Sequence, residues 1–223
     1  AGLPPIAAGS GEASGGAGEA GGAGSDGSGA GAGVGVEASG GGEVDALIVA
    51  AKLELAVSEG RWRTPAGDNV AELLALLSAA DPKHEGIKRA RQQAADVLLA
   101  RGGIAATEKR WHDAVEHYRD LRAIWPDHKG LAKPFTEALL QDAKILRYIK
   151  DWGQMVEVAE DLIALNPRSV EAQVMRGDAL EALGRWSDAA AAFKAAKALK
   201  PSDKAIADAI RRVETRAKAA GTG

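Results

Sequence analysis

Among residue types that commonly carry chemistry, the sequence holds four histidines, His84, His112, His117 and His128, and no cysteine. Without a thiol there is no disulfide framework, no thiolate nucleophile and no thiolate metal site. His112 and His117 stand five apart, which on a helix turns them roughly 140° from one another instead of onto one face. Neither an HExxH pattern nor a carboxylate at ligand spacing accompanies them, so no metal is expected. No Gly-x-Ser-x-Gly elbow supports a serine nucleophile, and phosphate-loop and kinase signatures are absent from the sequence. Gly29, Gly31, Gly33 and Gly35 alternate as in a phosphate-cradling loop. No strand pattern precedes them and no helical pattern follows within the turn, so they read as linker. The expectation is a chain that is not an enzyme and takes no cofactor.

Charge narrows the choice of partner. Residues 1–42 carry Glu12, Glu19, Asp26 and Glu37 and no base, a balance of −4, so the whole chain's −3 leaves +1 for the rest. A nearly neutral folded part lacks the basic face that a nucleic-acid binder needs, and no nucleic-acid partner is expected. No run approaches the roughly 18 apolar residues of a membrane-spanning helix, and no charged and apolar leader opens the chain. The first residue is Ala1 and not Met, which reads as a processed form or a piece of something longer.

The elements that would position a binding surface begin after a change of texture. Residues 1–42 hold 17 of the 28 glycines. So little side chain cannot offset the entropy of ordering the backbone, and a disordered Gly/Ala/Ser-rich linker with a span of roughly 35 Å is expected. From Glu43 the sequence becomes Ala- and Leu-rich, with apolar residues spaced i, i+3, i+4 and i+7. Four of the five tryptophans recur in one context: Gly60-Arg61-Trp62, Lys109-Arg110-Trp111, Lys150-Asp151-Trp152 and Gly184-Arg185-Trp186. A proline follows each: Pro82 twenty positions on, and Pro126, Pro167 and Pro201 fifteen positions on. The last two units repeat every thirty-four positions, counted from Trp or from Pro. Each unit reads as a helix, a tight turn before Trp, a second helix, and a stop at Pro. First helices are predicted near 44–59, 87–107, 131–149 and 169–183. Small residues at Ala71, Ala114 and Ala189 would let the paired helices approach, and each series Trp would pack in the turn.

These features resemble the tetratricopeptide repeat (TPR) family. The match is closest over 170–203, where Ala172, Gly177, Leu180, Gly184, Trp186, Ala189, Phe193, Ala196 and Pro201 fall on the motif's small and large positions. Arg176 departs from it, standing where the motif has an apolar residue. The unit around Trp152 is looser, with Met155 and Leu162 at usual alanine positions. The first unit carries an insertion, RTPAGDN, between its helices. The resemblance implies an all-α solenoid of four helix pairs, about 44–82, 87–126, 131–167 and 169–201, closed by a capping helix over 202–220 with Ser202 as N-cap. The folded region is expected over 43–220. Gly60-Arg61, Thr64 to Asn69 and Asp81-Pro82 are similar to a bacterial TPR variant that often follows a linker and a membrane anchor.

The resemblance further implies that a concave groove, lined by successive first helices, takes a peptide or partner protein. Projection of those helices gives Glu137, Gln141, Lys144, Arg147 and Tyr148 in unit three and Glu171, Val174, Met175, Asp178 and Glu181 in unit four. Unit two offers Asp96, Leu99 and Gly103. Lys144, Arg147 and Tyr148 suit a carboxylate or acidic peptide, and Asp178 and Glu181 a basic residue. The Lys/Asn clamp with which chaperone-binding members grip a C-terminal carboxylate is absent from these positions. Elsewhere, Lys88, Arg89 and Arg91 with Gln92 and Gln93 read as a solvated helix start. Trp125, outside the series, reads as packed against the next helix. Arg211, Arg212 and Arg216 on the capping helix could meet anionic lipid. The expected function is a non-catalytic interaction scaffold. The alternatives are a regulatory region of a larger bacterial enzyme such as a serine/threonine kinase, or a subunit of a cell-envelope assembly. A periplasmic or envelope location is preferred over the cytoplasm.

Overall fold

The computed structural model describes residues 41–220. Residues 1–40 lie outside the described residues and hold all but the last two positions of the expected 1–42 linker, while Gly41 and Gly42 belong to the first helix. The described residues form helices and no strand: α1 Gly41–Glu59, α2 Val70–Ala80, α3 Glu85–Thr107, α4 Trp111–Ile124, α5 Ala132–Ile149, α6 Trp152–Leu165, α7 Val170–Ala182, α8 Trp186–Leu199 and α9 Lys204–Ala220. They are four helix pairs and a final helix, each packed on the next in sequence, with α1 also against α3 and α2 against α4. The all-α solenoid follows from two turn designs used four times each.

Within each pair, the residue two before Trp adopts a left-handed conformation: Gly60, Lys109, Lys150 and Gly184, with φ between 60° and 74°. The next N–H then reaches back five residues. Arg61 N donates to the Ala56 carbonyl (2.9 Å), Arg110 N to Ala105 (2.8 Å), Asp151 N to Leu146 (3.0 Å) and Arg185 N to Leu180 (2.9 Å). This pattern satisfies the last helical carbonyls, and it favours glycine, which has no Cβ to clash. Two of the four positions are lysine. Replacing Lys109 and Lys150 with glycine should therefore each raise stability by about 0.5–1 kcal/mol in urea unfolding; a loss would refute the strain.

Between pairs, the helix ends two residues before proline. Asp81, Trp125, Asn166 and Lys200 all sit at φ between −142° and −137° with ψ between 76° and 92°. A following proline disfavours the helical region for the residue before it, so the chain leaves the helix there. Each of these residues accepts a turn bond three positions on, from His84, His128, Ser169 and Asp203. Ser169 and Asp203 then cap the next helix. The Ser169 Oγ accepts from Ala172 N (3.2 Å), and the Asp203 carboxylate from Ala205 N (3.0 Å) and Ile206 N (3.3 Å). The N-cap of the final helix is thus Asp203 and not Ser202, since the helix starts at Lys204 and Asp203 directly precedes it.

The core runs through both helices of every pair. Nine positions before each Trp stand Leu53, Gly102, Ala143 and Gly177, all buried. Gly102 lies against the ring of Tyr118, and a Cβ on Gly177 would sit 2.6 Å from Phe193 Cε1. Unit three opposes small to small, with Ala143 and Ala159 both buried. Ala114 and Ala189 are fully buried as expected, but Ala71 is not in that set. Ala114 and Ala189 stand twelve positions before their prolines, and the residue twelve before Pro82 is the fully buried Val70, one position from Ala71, so that Val70, Leu73, Leu74 and Leu77 face inward. Asn69 holds that loop: its Nδ2 donates to the Pro65 carbonyl (2.9 Å) and its Oδ1 accepts from Glu72 N (3.0 Å).

The tryptophans depart from expectation in degree. Only Trp62 is buried, at 7% exposure, while Trp111, Trp152 and Trp186 are half-buried. The last three open their helices, and a helical side chain leans back over the turn N-terminal to its own Cα, where one face of the ring stays open. Trp186 fills that face with the Arg216 guanidinium, 5.1 Å from the ring centroid.

Candidate functional site

The first helices α3, α5 and α7 carry the candidate groove residues. On α5, Lys144, Arg147 and Tyr148 are exposed, Tyr148 at 88%. Lys144 Nζ donates to Gln141 Oε1 one turn back (3.0 Å). Two residues that projection overlooked complete the patch: Ile145 and Ile149, both exposed, stand at i and i+4 with Tyr148 at i+3. Ile145 lies seven before Trp152, and the same position in units one and two holds Leu55 and Ile104, also exposed. The Trp frame carried that signal, but apolar residues in a helical pattern read as core.

On α7, the structure brings Asp178 into the field of Arg147 from α5 and of Arg212 from α9. Burial pushes the Asp178 carboxyl above its usual range; the charges of Arg147 and Arg212 oppose the shift, and that of Glu181 adds to it. Glu181 is already occupied. Arg212 donates to it through Nε (2.7 Å) and Nη2 (2.6 Å), and Arg216 through Nη1 (3.3 Å). The hydrogen bonds from Arg212, with the charges of both arginines, hold the Glu181 carboxyl below its usual range against a smaller effect of burial. Glu181 therefore joins the capping helix to α7, and Arg212 and Arg216, read as lipid-facing, point inward to it. Arg211 pairs with Asp208 on its own helix. Val174 and Met175 are half-buried and packed on the core. Glu171 is exposed at the start of α7. Glu137 is exposed on α5, and its charge, after burial, raises the Tyr118 hydroxyl. On α3, Asp96 accepts from Gln92 (2.9 Å), Leu99 is half-buried, and a Cβ on Gly103 would meet nothing within 4 Å.

The second helices bear a different surface, a ladder of ion pairs. Arg63, in the inserted loop, bonds Glu116 (2.8 Å) and Asp120 on α4. Arg119 on α4 bonds Glu116 (2.6 Å) and reaches Asp161 on α6 (2.6 Å), where Arg122 also arrives (3.0 Å). Burial raises the Glu116 carboxyl, but the hydrogen bonds from Arg119 and Arg63 outweigh it and the net shift is down. For Asp120 burial wins over Arg63, and the shift is up. Arg176, the departure from the motif, is absorbed by Glu160 on α6 (3.2 Å).

His112 also has a partner that spacing did not disclose. Its Nδ1 lies 3.4 Å from Oδ2 of Asp142 on α5, a carboxylate only 2% exposed. Burial pushes that carboxyl up, with His112 opposing. Among the described residues no three His, Cys, Asp or Glu side chains gather as a metal site, and no helix is long and apolar enough to cross a membrane.

Residues 143–204 match the tetratricopeptide repeat family. Solved structures similar to the chain include the TPR domain of Arabidopsis OM64, with 24% identity over 56% of this chain and 98% of that one, at a TM-score of 0.35. The second TPR domain of human RPAP3, in complex with the HSP70 peptide SGPTIEEVD, shares 20% identity over 56% and 98%, at 0.36. MamA AMB-1 shares 18% over 79% and 84%, at 0.39. No curated protein matches the sequence. The family match falls on residues 143–204, from the second half of α5 to the end of α8, and the Trp and Pro frame of those helices recurs in the two earlier pairs.

Proposed function

We propose that the chain is a non-catalytic binding scaffold whose first-helix face takes an acidic, partly apolar segment of a partner protein. The observation that carries this reading is the end of α5, where two exposed cations, Lys144 and Arg147, flank exposed Ile145, Tyr148 and Ile149. Apolar side chains left open beside fixed charge mark interaction surfaces. Tyrosine suits such a surface because it covers a large area with few rotors and can also hydrogen-bond. The pairing of Glu181 with Arg212 and Arg216 leaves α7 less acidic toward a ligand than its sequence suggests, so the α5–α7 strip favours carboxylates over basic residues.

The test is selection of phage-displayed random peptides on the full chain, followed by binding to Lys144→Glu/Arg147→Glu. Enriched peptides should be acidic and should bind the double variant at least about tenfold more weakly, with helix content unchanged by circular dichroism. Equal binding to both proteins would overturn the reading.

A further inference from the structure

Two features that the sequence left as bland, Trp125 and the Lys88–Gln93 cluster, line one cleft. It has a volume of about 670 Å³, and its walls include Lys83, Glu85, Ile87, Lys88, Arg91 and Trp125. One wall is built by the N-terminal half of α3, a helix that starts well ahead of its counterparts. Glu85 stands twenty-six positions before Trp111, whereas α7 begins sixteen before Trp186. The extra turns of α3 stand beside the turn after α4, where Trp125 is half-buried with its ring edge-on to His128 at 4.8 Å.

The charges of this cleft are unbalanced. Its lining holds four cations and one carboxylate, Glu85. Arg89 bonds Glu54 of α1 (3.1 Å). Lys83, Lys88 and Arg91 form no ion pair among the described residues, and the Arg91 Nε is shut off from solvent with no hydrogen-bond acceptor. With no ion-pair partner, Lys88 and Arg91 keep their charge for an incoming carboxylate, which charge-assisted hydrogen bonds would hold.

We propose that this cleft is a second docking site, for an acidic peptide segment bearing a large apolar side chain. The apolar group lies against Trp125 and Ile87, the carboxylates meet Lys88 and Arg91, and Gln93 offers its amide to the peptide backbone. Charge complementarity selects a carboxylate ligand. Residues 43–223 sum to only +1, without the extended basic face that nucleic acid or an anionic membrane needs, so a short acidic peptide is the occupant that this local cluster of cations fits. The cleft is separate from the groove. Lys88 to Gln93 lie eighteen to twenty-three positions ahead of Trp111, and Lys144 to Tyr148 lie four to eight ahead of Trp152, so the two sites occupy opposite ends of their helices.

The experiment uses the full chain and fluorescence polarisation of three dye-labelled probes. They are the peptide Glu-Asp-Glu-Phe-Glu-Asp-Glu, its amide counterpart Gln-Asn-Gln-Phe-Gln-Asn-Gln, and a short oligothymidylate. The acidic peptide should bind tightest. In the Lys144→Glu/Arg147→Glu background, which removes the groove as a second site for acidic peptide, the acidic peptide should still bind; adding Lys88→Glu/Arg91→Glu should weaken it at least about tenfold, as should adding Trp125→Leu. Circular dichroism confirms that each variant is folded. Equal binding of the amide peptide, tighter binding of oligothymidylate, or retention by both cleft variants would overturn the proposal. Loss of all binding in the Lys144→Glu/Arg147→Glu background itself would overturn it while leaving the groove reading intact.

Discussion

Phe193→Ala should destabilise the chain by about 3–5 kcal/mol, and Gly177→Ala should cost about 1–2 kcal/mol, but the two together should cost less than their sum. Phe193 is among the largest fully buried side chains, and its ring occupies the space that Gly177 leaves open on α7. Removing the ring opens a cavity between α7 and α8. Adding a methyl at Gly177 brings carbon within 2.6–2.8 Å of three ring atoms, so the helices must part. The better helix propensity of alanine, worth up to about 1 kcal/mol, recovers only part of that. Once the ring is gone, the same methyl fills vacated space and the propensity gain acts alone. Urea unfolding of the four proteins measures the coupling. Additivity within about 0.5 kcal/mol, as found for independent sites, would show that the glycine is not there for the ring.

Asp161→Ala should cost about 2–3 kcal/mol, a large effect for a residue on the outer surface of a repeat. Asp161 is 8% exposed, with Arg119 Nε at 2.6 Å and Arg122 Nη1 at 3.0 Å, so its loss strands two guanidinium groups from α4. Arg119 keeps Glu116 as a partner, which holds the cost below that of a fully buried pair. Asp161→Asn keeps one acceptor and should cost roughly half as much. Chemical denaturation at low and high salt checks both. A loss under about 0.5 kcal/mol, the scale of an ordinary exposed ion pair, would mean that the ladder does not couple the second and third pairs.

The helix pairs were legible because their punctuation is local. The residue before each proline, Asp81, Trp125, Asn166 or Lys200, must leave the helix, and each left-handed residue before Trp closes a turn with a short backward bond. The binding surface was only partly legible. Projection found Lys144, Arg147 and Tyr148, but Ile145 and Ile149 read as core, since nothing local says that no neighbour covers them. Pairings such as His112 with Asp142, Arg119 with Asp161 and Glu181 with Arg212 span 30, 42 and 31 residues. Such separations are near one repeat, but the chain offers many charges at that distance, and burial, not spacing, chooses among them. The same holds for the cleft. Trp125 and Arg91 acquire meaning only when the longer α3 brings them around one cleft.

Binding of a partner segment on the first-helix face at the end of α5 is read most directly by photo-crosslinking. One crosslinking residue replaces Tyr148, and a control replaces the exposed Ala123 of α4. A selected acidic peptide should crosslink at position 148 and not at 123. Crosslinking at 123 alone would place binding on the second-helix face and contradict the groove at α5.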